Sequence, residues 1–238
     1  MNIINKKDKI LVVTSHPDDE VLGCGGLILY AKKIGAKVEL LCLGEGVSSR
    51  FTKKNYKEQI KAHNIRTNEF IKAISILGIK KYQLDNRLCN QFDTLPILSI
   101  VKTIENYISN FKPTIVFTHN DSEVNIDHSI TYKAVEVASR PTKHKSVKRI
   151  YSFSIPCSGN WTFNSKFKPN VFFDISEVWN DKIKAWKCYK NETRPFPFPR
   201  SLKAIKIIAE FYGLQSGLTL AEAFRLERMI IDNENKNI

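Results

Sequence analysis

The stretch ILVVTSHPDDE, residues 10–20, places an imidazole and two adjacent aspartates directly after a short apolar run. The run has the length and β-branched content of a buried strand, and a helical pattern follows it over residues 21–34. Charged groups at the exit of a buried strand need a partner, because desolvating an unpaired charge is costly. A divalent metal is an effective partner for His and Asp. The stretch therefore predicts a strand, a metal-binding loop and a helix.

Apolar runs alternate with helical patterns through the first two thirds of the chain. The predicted strands cover residues 10–14, 38–43, 81–84 and 114–118. The predicted helices cover residues 21–34, 57–77 and 95–111, and another begins near 126–128. This alternation predicts an α/β fold, a Rossmann-like and mostly parallel sheet with helices on both faces. In such sheets, ligands bind beyond the carboxyl ends of the strands, so we expect the metal site there.

The last third is less regular but continues the same alternation. Residues 149–155 and 171–175 have strand patterns, whereas 177–189, 202–211 and 220–231 have helical ones. The sequence shows no internal repeat and no linker rich in Pro, Gly or Ser. We therefore predict a single domain over residues 1–238, with a frayed, Asn-rich tail at 232–238.

The composition narrows the classes of function. The net charge is +13, but the lysines are spread along the chain and no nucleic-acid-binding motif occurs, so no nucleic-acid partner is expected. The charge favours a phosphate-bearing substrate only weakly. No stretch approaches the roughly 20 apolar residues of a transmembrane helix, and the N-terminus lacks the apolar core of a signal peptide. We expect a cytoplasmic protein, and an oligomer is compatible with the sequence.

A catalytic zinc site commonly has three protein ligands and one open position. His16 and Asp19 supply two of them, and Asp18 stands beside the ion as a base. The third ligand is expected from another strand end, where His119 and His128 are the candidates. We favour His128 because the start of a helix fixes its position, whereas His119 is suited to a supporting or proton-transfer role.

The HPDDE motif after the first strand, followed later by Asn125-x-Asp127-His128, resembles the LmbE-like family of zinc-dependent N-deacetylases, also called the PIG-L family. The resemblance runs from about residue 9 to about residue 229 and includes stretches 192–201 and 221–225. It implies one zinc ion held by His16, Asp19 and His128, with Asp18 as the general base. The implied reaction removes an N-acetyl group from an amino sugar or sugar conjugate.

The chain departs from many family members at Asn125, where they have a histidine that assists the leaving amine or the oxyanion. Asparagine can donate a hydrogen bond but cannot transfer a proton. The candidates for the acid are His119, Asp127, and Asp18 returning its proton. We rank Asp18 first because one carboxylate can serve both steps.

Four further residues are predicted to bind substrate. Arg50 ends the loop 44–50 at a strand exit, and its planar fork suits sugar hydroxyls or phosphate. Asp93 resembles a position that binds sugar hydroxyls. Arg194 and Arg200 lie in a Pro-rich loop whose stiff backbone suits a substrate wall.

Two rival functions come from the same residues. A metal-binding protein that has lost its acid, and with it catalysis, would explain Asn125. An oxidoreductase would use Gly23-Cys24-Gly25 as half of a dinucleotide fingerprint, but Ile28 replaces its third glycine. The nearby carboxylates would also repel a pyrophosphate, so we favour the deacetylase.

Overall fold

The computed structural model describes residues 3–52, 55–163 and 166–231. Its sheet has seven strands in the order β3-β2-β1-β4-β5-β7-β6. They are β1 Lys9–Thr14, β2 Lys37–Gly44, β3 Lys81–Arg87, β4 Ile115–His119, β5 Arg149–Phe153, β6 Val171–Asp174 and β7 Ala221–Met229. Strands β1 to β5 pair in parallel, whereas β7 pairs antiparallel with both β5 and β6. The predicted α/β fold with a mostly parallel sheet is confirmed.

Within the described residues, six α-helices cover the two faces of this sheet. They are α1 Asp19–Ile34, α2 Tyr56–Leu77, α3 Ile97–Phe111, α4 Ile126–Ala138, α5 Trp179–Trp186 and α6 Leu202–Ser216. Side chains of β1 alternate between two cores, as the period of a strand requires. Ile10 and Val12 face the core that α1, α2, α5 and α6 complete, and Leu11 and Val13 face the core under α3 and α4. None of the described helices is long and apolar enough to cross a bilayer.

The helix predicted at residues 220–231 is wrong, because residues 221–229 form strand β7. The segment is rich in Ala, Leu, Glu and Arg, whose intrinsic preference is for helix. The open edge of β5 overrides that preference by supplying backbone partners, and Phe224 packs edge-on against Phe117 with the ring centroids 5.1 Å apart. The segment therefore joins the sheet and links β5 to β6. The tail predicted at 232–238 lies outside the described residues.

Helix α1 consists of two segments that meet at Cys24, where φ is −149°. The first turn of the second segment has backbone N–H groups without a partner inside the helix. Two of them, on Gly26 and Leu27, donate to the Glu222 carboxylate over 2.6 and 2.8 Å. Lys182 donates to the same carboxylate over 2.6 Å, and both charged side chains are buried. Glu222 thus stabilises the start of an internal helix segment that follows the metal-binding loop.

Replacing Gly26 by Ala is expected to lower the free energy of unfolding by about 1–3 kcal/mol, because overpacking a tight core costs that much. The added methyl group would overlap the Ile175 side chain. Gly25→Ala is the matched control, since its methyl group would lie 3.5 Å from the nearest atom, on Val21. Urea unfolding should show Gly25→Ala as stable as the wild type or slightly more so. Equal destabilisation of both variants would contradict the packing argument.

Candidate metal centre

The loops after β1 and β4 bring the predicted site residues together at the carboxyl edge of the sheet. His16 and Asp18 lie in the loop after β1, and Asp19 is the first residue of α1. His119 ends β4, and His128 lies in the first turn of α4. All five side chains are buried. The convergence expected from the strand order is therefore present.

His16, Asp19 and His128 form a compact set of potential metal ligands. Asp19 Oδ2 lies 3.8 Å from His16 Nδ1 and 3.6 Å from His128 Nε2. One ligand atom from each residue falls within 4.8 Å of the other two. The other Asp19 oxygen, Oδ1, is buried without a hydrogen-bond partner among the described residues. Two imidazole nitrogens and a carboxylate with a free oxygen fit a zinc-type donor set.

Asp127 holds the ring of His16 in place. The His16 Nε2–H donates to Asp127 Oδ2 over 2.8 Å, which leaves Nδ1 facing Asp19. Backbone N–H groups of Asn90 and Phe92 donate to the same carboxylate over 2.6 and 3.0 Å. A carboxylate that binds the far nitrogen of a histidine fixes its tautomer and orientation. With these bonds in place, Asp127 is better suited to orienting His16 than to acting as an acid.

Glu123 performs the corresponding task for His128. Its carboxylate accepts a hydrogen bond from His128 Nδ1 and another from the backbone N–H of Ile155. Burial alone would raise the pKa of Glu123, but His128 and His119 lower it to about 2. The sequence analysis missed Glu123. The sequence offered one indication of its role: Glu123 is an acidic residue five positions before His128, in the loop that follows the predicted strand.

His119 lies behind the ligand set. Its ring stacks on His128 with centroids 4.0 Å apart, and its Nε2 accepts the backbone N–H of Ser15 over 3.0 Å. His119, Glu123 and His128 also lie close enough to hold a metal ion. However, the Glu123 oxygens already accept hydrogen bonds from His128 Nδ1, the Asn120 amide and the Ile155 N–H, whereas Asp19 Oδ1 has no partner among the described residues. The set containing Asp19 therefore offers the better site.

The charges around the cluster are mutually dependent. Burial alone would raise the pKa of Asp19, but the facing His128 and His119 hold it well below its ordinary value. Burial, with help from His119, lowers the pKa of His128. A lowered pKa favours the neutral imidazole, which is the form that binds a metal. The lowered pKa values of Asp19 and His128 both favour the deprotonated forms, which are the forms that bind a cation.

Glu123→Gln is expected to weaken metal affinity about 10–100-fold, the usual cost of losing a partner that orients a metal-binding histidine. Asp121→Asn is the matched control, because Asp121 is an exposed acid in the same loop. Competition with a chromophoric chelator measures both affinities. An unchanged affinity in Glu123→Gln would show that Glu123 does not support a metal ligand.

Asp18 lies next to this cluster in a network of charges. Its backbone has φ of 112°, and its Oδ2 accepts hydrogen bonds from Arg66 and Arg200, each over 3.1 Å. Glu192 forms ion pairs with the same two arginines and with Arg50, whose guanidinium lies 2.8 Å away. The structure therefore places the predicted base and two predicted substrate residues, Arg50 and Arg200, in one network.

Arg66 and Glu192 were missed as site residues by the sequence analysis. Arg66 lies on the buried face of α2, which it shares with Phe70 and Ala73. An arginine in an apolar stripe was a usable signal, because a buried guanidinium needs a specific partner. Glu192 occurs in the resemblance stretch 192–201. Nothing local to that stretch indicates that it pairs with α2.

The remaining predicted residues lie at the edge of the centre or away from it. Asp93 is exposed in a short turn, directly after Phe92, whose backbone binds Asp127. Arg194 is exposed and lies over the ring of Phe198 at 5.1 Å, so it does not join the charge network in the described contacts. Asn125 caps α4, with its side-chain oxygen accepting the N–H of Asp127 over 3.0 Å.

Residues 11–139, more than half of the chain, match the PIG-L family, described as GlcNAc-PI de-N-acetylase. The chain belongs to the PIG-L family. The match contains the whole ligand set as well as Asp18, Arg66 and Glu123. The family resemblance expected from the HPDDE motif is therefore confirmed.

Relatives of this PIG-L protein include two bacterial or archaeal deacetylases. The diacetylchitobiose deacetylase of Thermococcus kodakarensis is 29% identical over 241 residues, which cover 93% of this chain and 84% of the relative. The probable N-acetyl-alpha-D-glucosaminyl L-malate deacetylase 2 of Bacillus cereus is 26% identical over 188 residues, covering 77% of this chain and 83% of the relative. Both alignments extend beyond the family match.

A solved structure has the same fold as this PIG-L protein. The N,N'-diacetylchitobiose deacetylase from Pyrococcus horikoshii, complexed with its inhibitor, superposes with a TM-score of 0.74. The sequence identity is 23%, and the alignment covers 93% of this chain and 84% of that chain. The likeness thus includes the last third, where the sequence pattern was least regular.

Proposed function

We propose that this protein is a zinc-dependent N-deacetylase that hydrolyses the acetamide of an N-acetylated amino sugar or sugar conjugate. The observation that carries the proposal is the position of Asp18, a buried carboxylate beside the ligand set His16, Asp19 and His128. A base next to an open metal site is the arrangement that hydrolysis of an amide needs. The names of the deacetylase relatives support the substrate class.

In this proposal, His16 Nδ1, an Asp19 oxygen and His128 Nε2 hold one zinc ion. When bound, zinc supplies a Lewis acid that lowers the pKa of a water to about 7 and polarises a carbonyl oxygen. Asp127 and Glu123 bind the far nitrogens of the two histidines and fix their orientation. The protein thereby presents its donors without having to reorganise during the reaction.

Asp18 takes the proton from the attacking water and returns it to the departing amine. Arg66 and Arg200 both bind its Oδ2, so Oδ1 is the oxygen that accepts the proton. The two guanidinium groups also hold the carboxylate in place, and this keeps it within reach of both oxygen and nitrogen of the reacting amide. One group thus serves as base and then as acid.

The alternatives for the acid fit the geometry less well. His119 is fully buried behind His128, and its Nε2 is occupied by the N–H of Ser15. Asp127 is committed to His16 and two backbone N–H groups. Asn125 cannot transfer a proton, but its amino group can donate to the developing oxyanion, because only its side-chain oxygen is used to cap α4. The change at Asn125 is therefore compatible with turnover.

Acetate release from a panel of acetylated amino sugars tests the proposal. The panel includes N-acetylglucosamine, diacetylchitobiose and N-acetylglucosaminyl malate, each with and without a phosphate group where the chemistry allows it. Zinc-loaded protein is expected to release equal amounts of acetate and free amine from at least one member, and a chelator should stop the reaction. A metal-loaded protein that is inactive across the panel would favour the rival, a catalytically impaired metal-binding protein.

The proposal also covers the size of the substrate, its location in the cell and its charge. The substrate is expected to be a small molecule that the protein meets in the cytoplasm. A preference for phosphate-bearing members of the panel that is lost in Arg50→Gln would identify Arg50 as the group that recognises the phosphate. Arg50 is the arginine of the network whose side chain is 47% exposed, so it is the one that a bound substrate can reach most readily.

A further inference from the structure

A broad groove lies at the end of the sheet opposite to the metal centre. Strands β1, β2 and β3 begin at Lys9, Lys37 and Lys81, and these three residues line the groove. The metal-binding loops follow the other ends of parallel strands in the same sheet. The groove has a volume of about 1590 Å³, and its lining includes the end of α2 and the second half of α3. It is therefore separate from the candidate active site.

The groove is strongly basic. Five of its lining residues are lysines: Lys9, Lys32, Lys37, Lys80 and Lys81. None of the five forms a salt bridge with a carboxylate in the described part of the chain. The groove has a single acidic lining residue, Glu39, and the Tyr107 hydroxyl lies against it. The lining residues therefore carry five positive charges against one negative charge, and such an excess attracts an anion.

We propose that this groove, which we call the lysine groove, binds a linear polyphosphate, a flexible chain with several phosphate charges. Lysine ammonium groups are compact point charges, which suit phosphate groups that approach from several directions. A volume of about 1590 Å³ exceeds the roughly 300–1000 Å³ of typical small-molecule pockets, so an extended ligand fits better than a single phosphate. The side chains of Asn106 and Asn110 add hydrogen-bond donors to the lining of the groove.

The aromatic residues of the lysine groove favour polyphosphate over a single-stranded nucleic acid. Recognition of single strands relies on exposed rings on which bases stack. Here the Phe111 ring is covered by Lys9 Nζ at 4.8 Å, and Tyr107 is engaged with Glu39. Tyr82 packs edge-on against Phe70. Lys9 and Lys32 have partners of their own, the Phe111 ring and the Ile76 carbonyl, whereas Lys37, Lys80 and Lys81 have none in the described contacts. Among the rings, Tyr82 is 43% exposed and is the one that a base could reach.

Titration calorimetry with inorganic tripolyphosphate and with longer polyphosphate tests the inference. The full-length wild-type protein is expected to bind the longer chain more tightly, and binding should weaken as salt is added. Lys37→Glu with Lys81→Glu should weaken binding at least about tenfold, because two attractive charges become repulsive. The milder pair Lys37→Gln with Lys81→Gln should show a smaller loss, and thermal melts should show that both proteins fold.

The matched control is Lys187→Glu with Lys190→Glu, which makes the same change in net charge at exposed positions outside the groove. It should change the affinity by no more than about twofold, an effect of screened long-range charge alone. Three results would overturn the inference: no binding by the wild type, an equal loss in the control pair, or tighter binding of a single-stranded oligonucleotide with the same number of phosphates. The test does not depend on the deacetylase activity.

Discussion

An Asp18→Asn protein is expected to turn over about 10²–10⁴-fold more slowly than the wild type, the range that general acid–base groups contribute. The amide keeps the shape of the carboxylate and can still accept from Arg66 and Arg200 through its oxygen. It cannot take a proton from water or return one to the amine. Since Asp18 serves both steps in the proposal, kcat should fall much more than the affinity for substrate.

Three measurements separate this result from a structural defect. Metal content should remain at the wild-type level, because Asp18 is not in the ligand set. The unfolding midpoint should change little, and Asp121→Asn, at an exposed position, should keep full activity. Wild-type kcat in Asp18→Asn would refute the assignment of the base, whereas loss of metal would make Asp18 a ligand.

The second large effect is expected from His16→Gln, which should lose its metal on dialysis and with it all measurable deacetylation. Gln lacks an imidazole nitrogen, so one of three protein ligands disappears and the affinity falls steeply. Metal analysis after dialysis, together with acetate release, measures both consequences. Addition of excess zinc should restore only a small part of the activity.

His119→Gln is the informative partner for this variant. Of the three candidate metal sets among the described residues, two share His128, and of these one contains His16 and the other contains His119; the third set, His16, Cys89 and Asp127, lacks His128. A Gln at position 119 can still accept the N–H of Ser15, so the packing loss should be modest and the metal should be retained. If His119→Gln loses metal while His16→Gln keeps it, the ion belongs to the set His119, Glu123 and His128.

Much of the fold could be predicted because periodicity is a local property of the chain. Apolar runs marked β1, β2 and β4 to within one or two residues, and helical spacing marked α2 and α3. The prediction for the β7 segment was wrong because its residues favour a helix in isolation. Only the free edge of β5 makes a strand more stable there. A pattern in one segment carries no information about an open edge made by another.

The residues of the candidate ligand set and the proposed base could be named from the sequence for the same local reason. Three of these residues lie within four positions after the first predicted strand: His16, Asp18 and Asp19. The fourth, His128, lies at the start of a predicted helix. Their meeting follows from the parallel strand order, which the alternation of elements implies. The carboxylates that orient the two histidines are less visible in the sequence. Asp127 could be named because it belongs to the motif Asn125-x-Asp127-His128, whereas Glu123 lies outside that motif.

By itself, the sequence determined the elements of the first two thirds, the residues of the candidate metal centre and the family. Only the tertiary structure decided which charges surround the base. Arg66 lies 48 residues from Asp18, Arg200 lies 182 residues away, and Arg66 and Glu192 are 126 residues apart. The physical reason is that a buried charge is stable only beside a partner, and folding selects that partner by proximity in space. The hydrophobic periodicity of a segment depends on residues that are close in sequence, so it contains no information about ion pairs between distant segments.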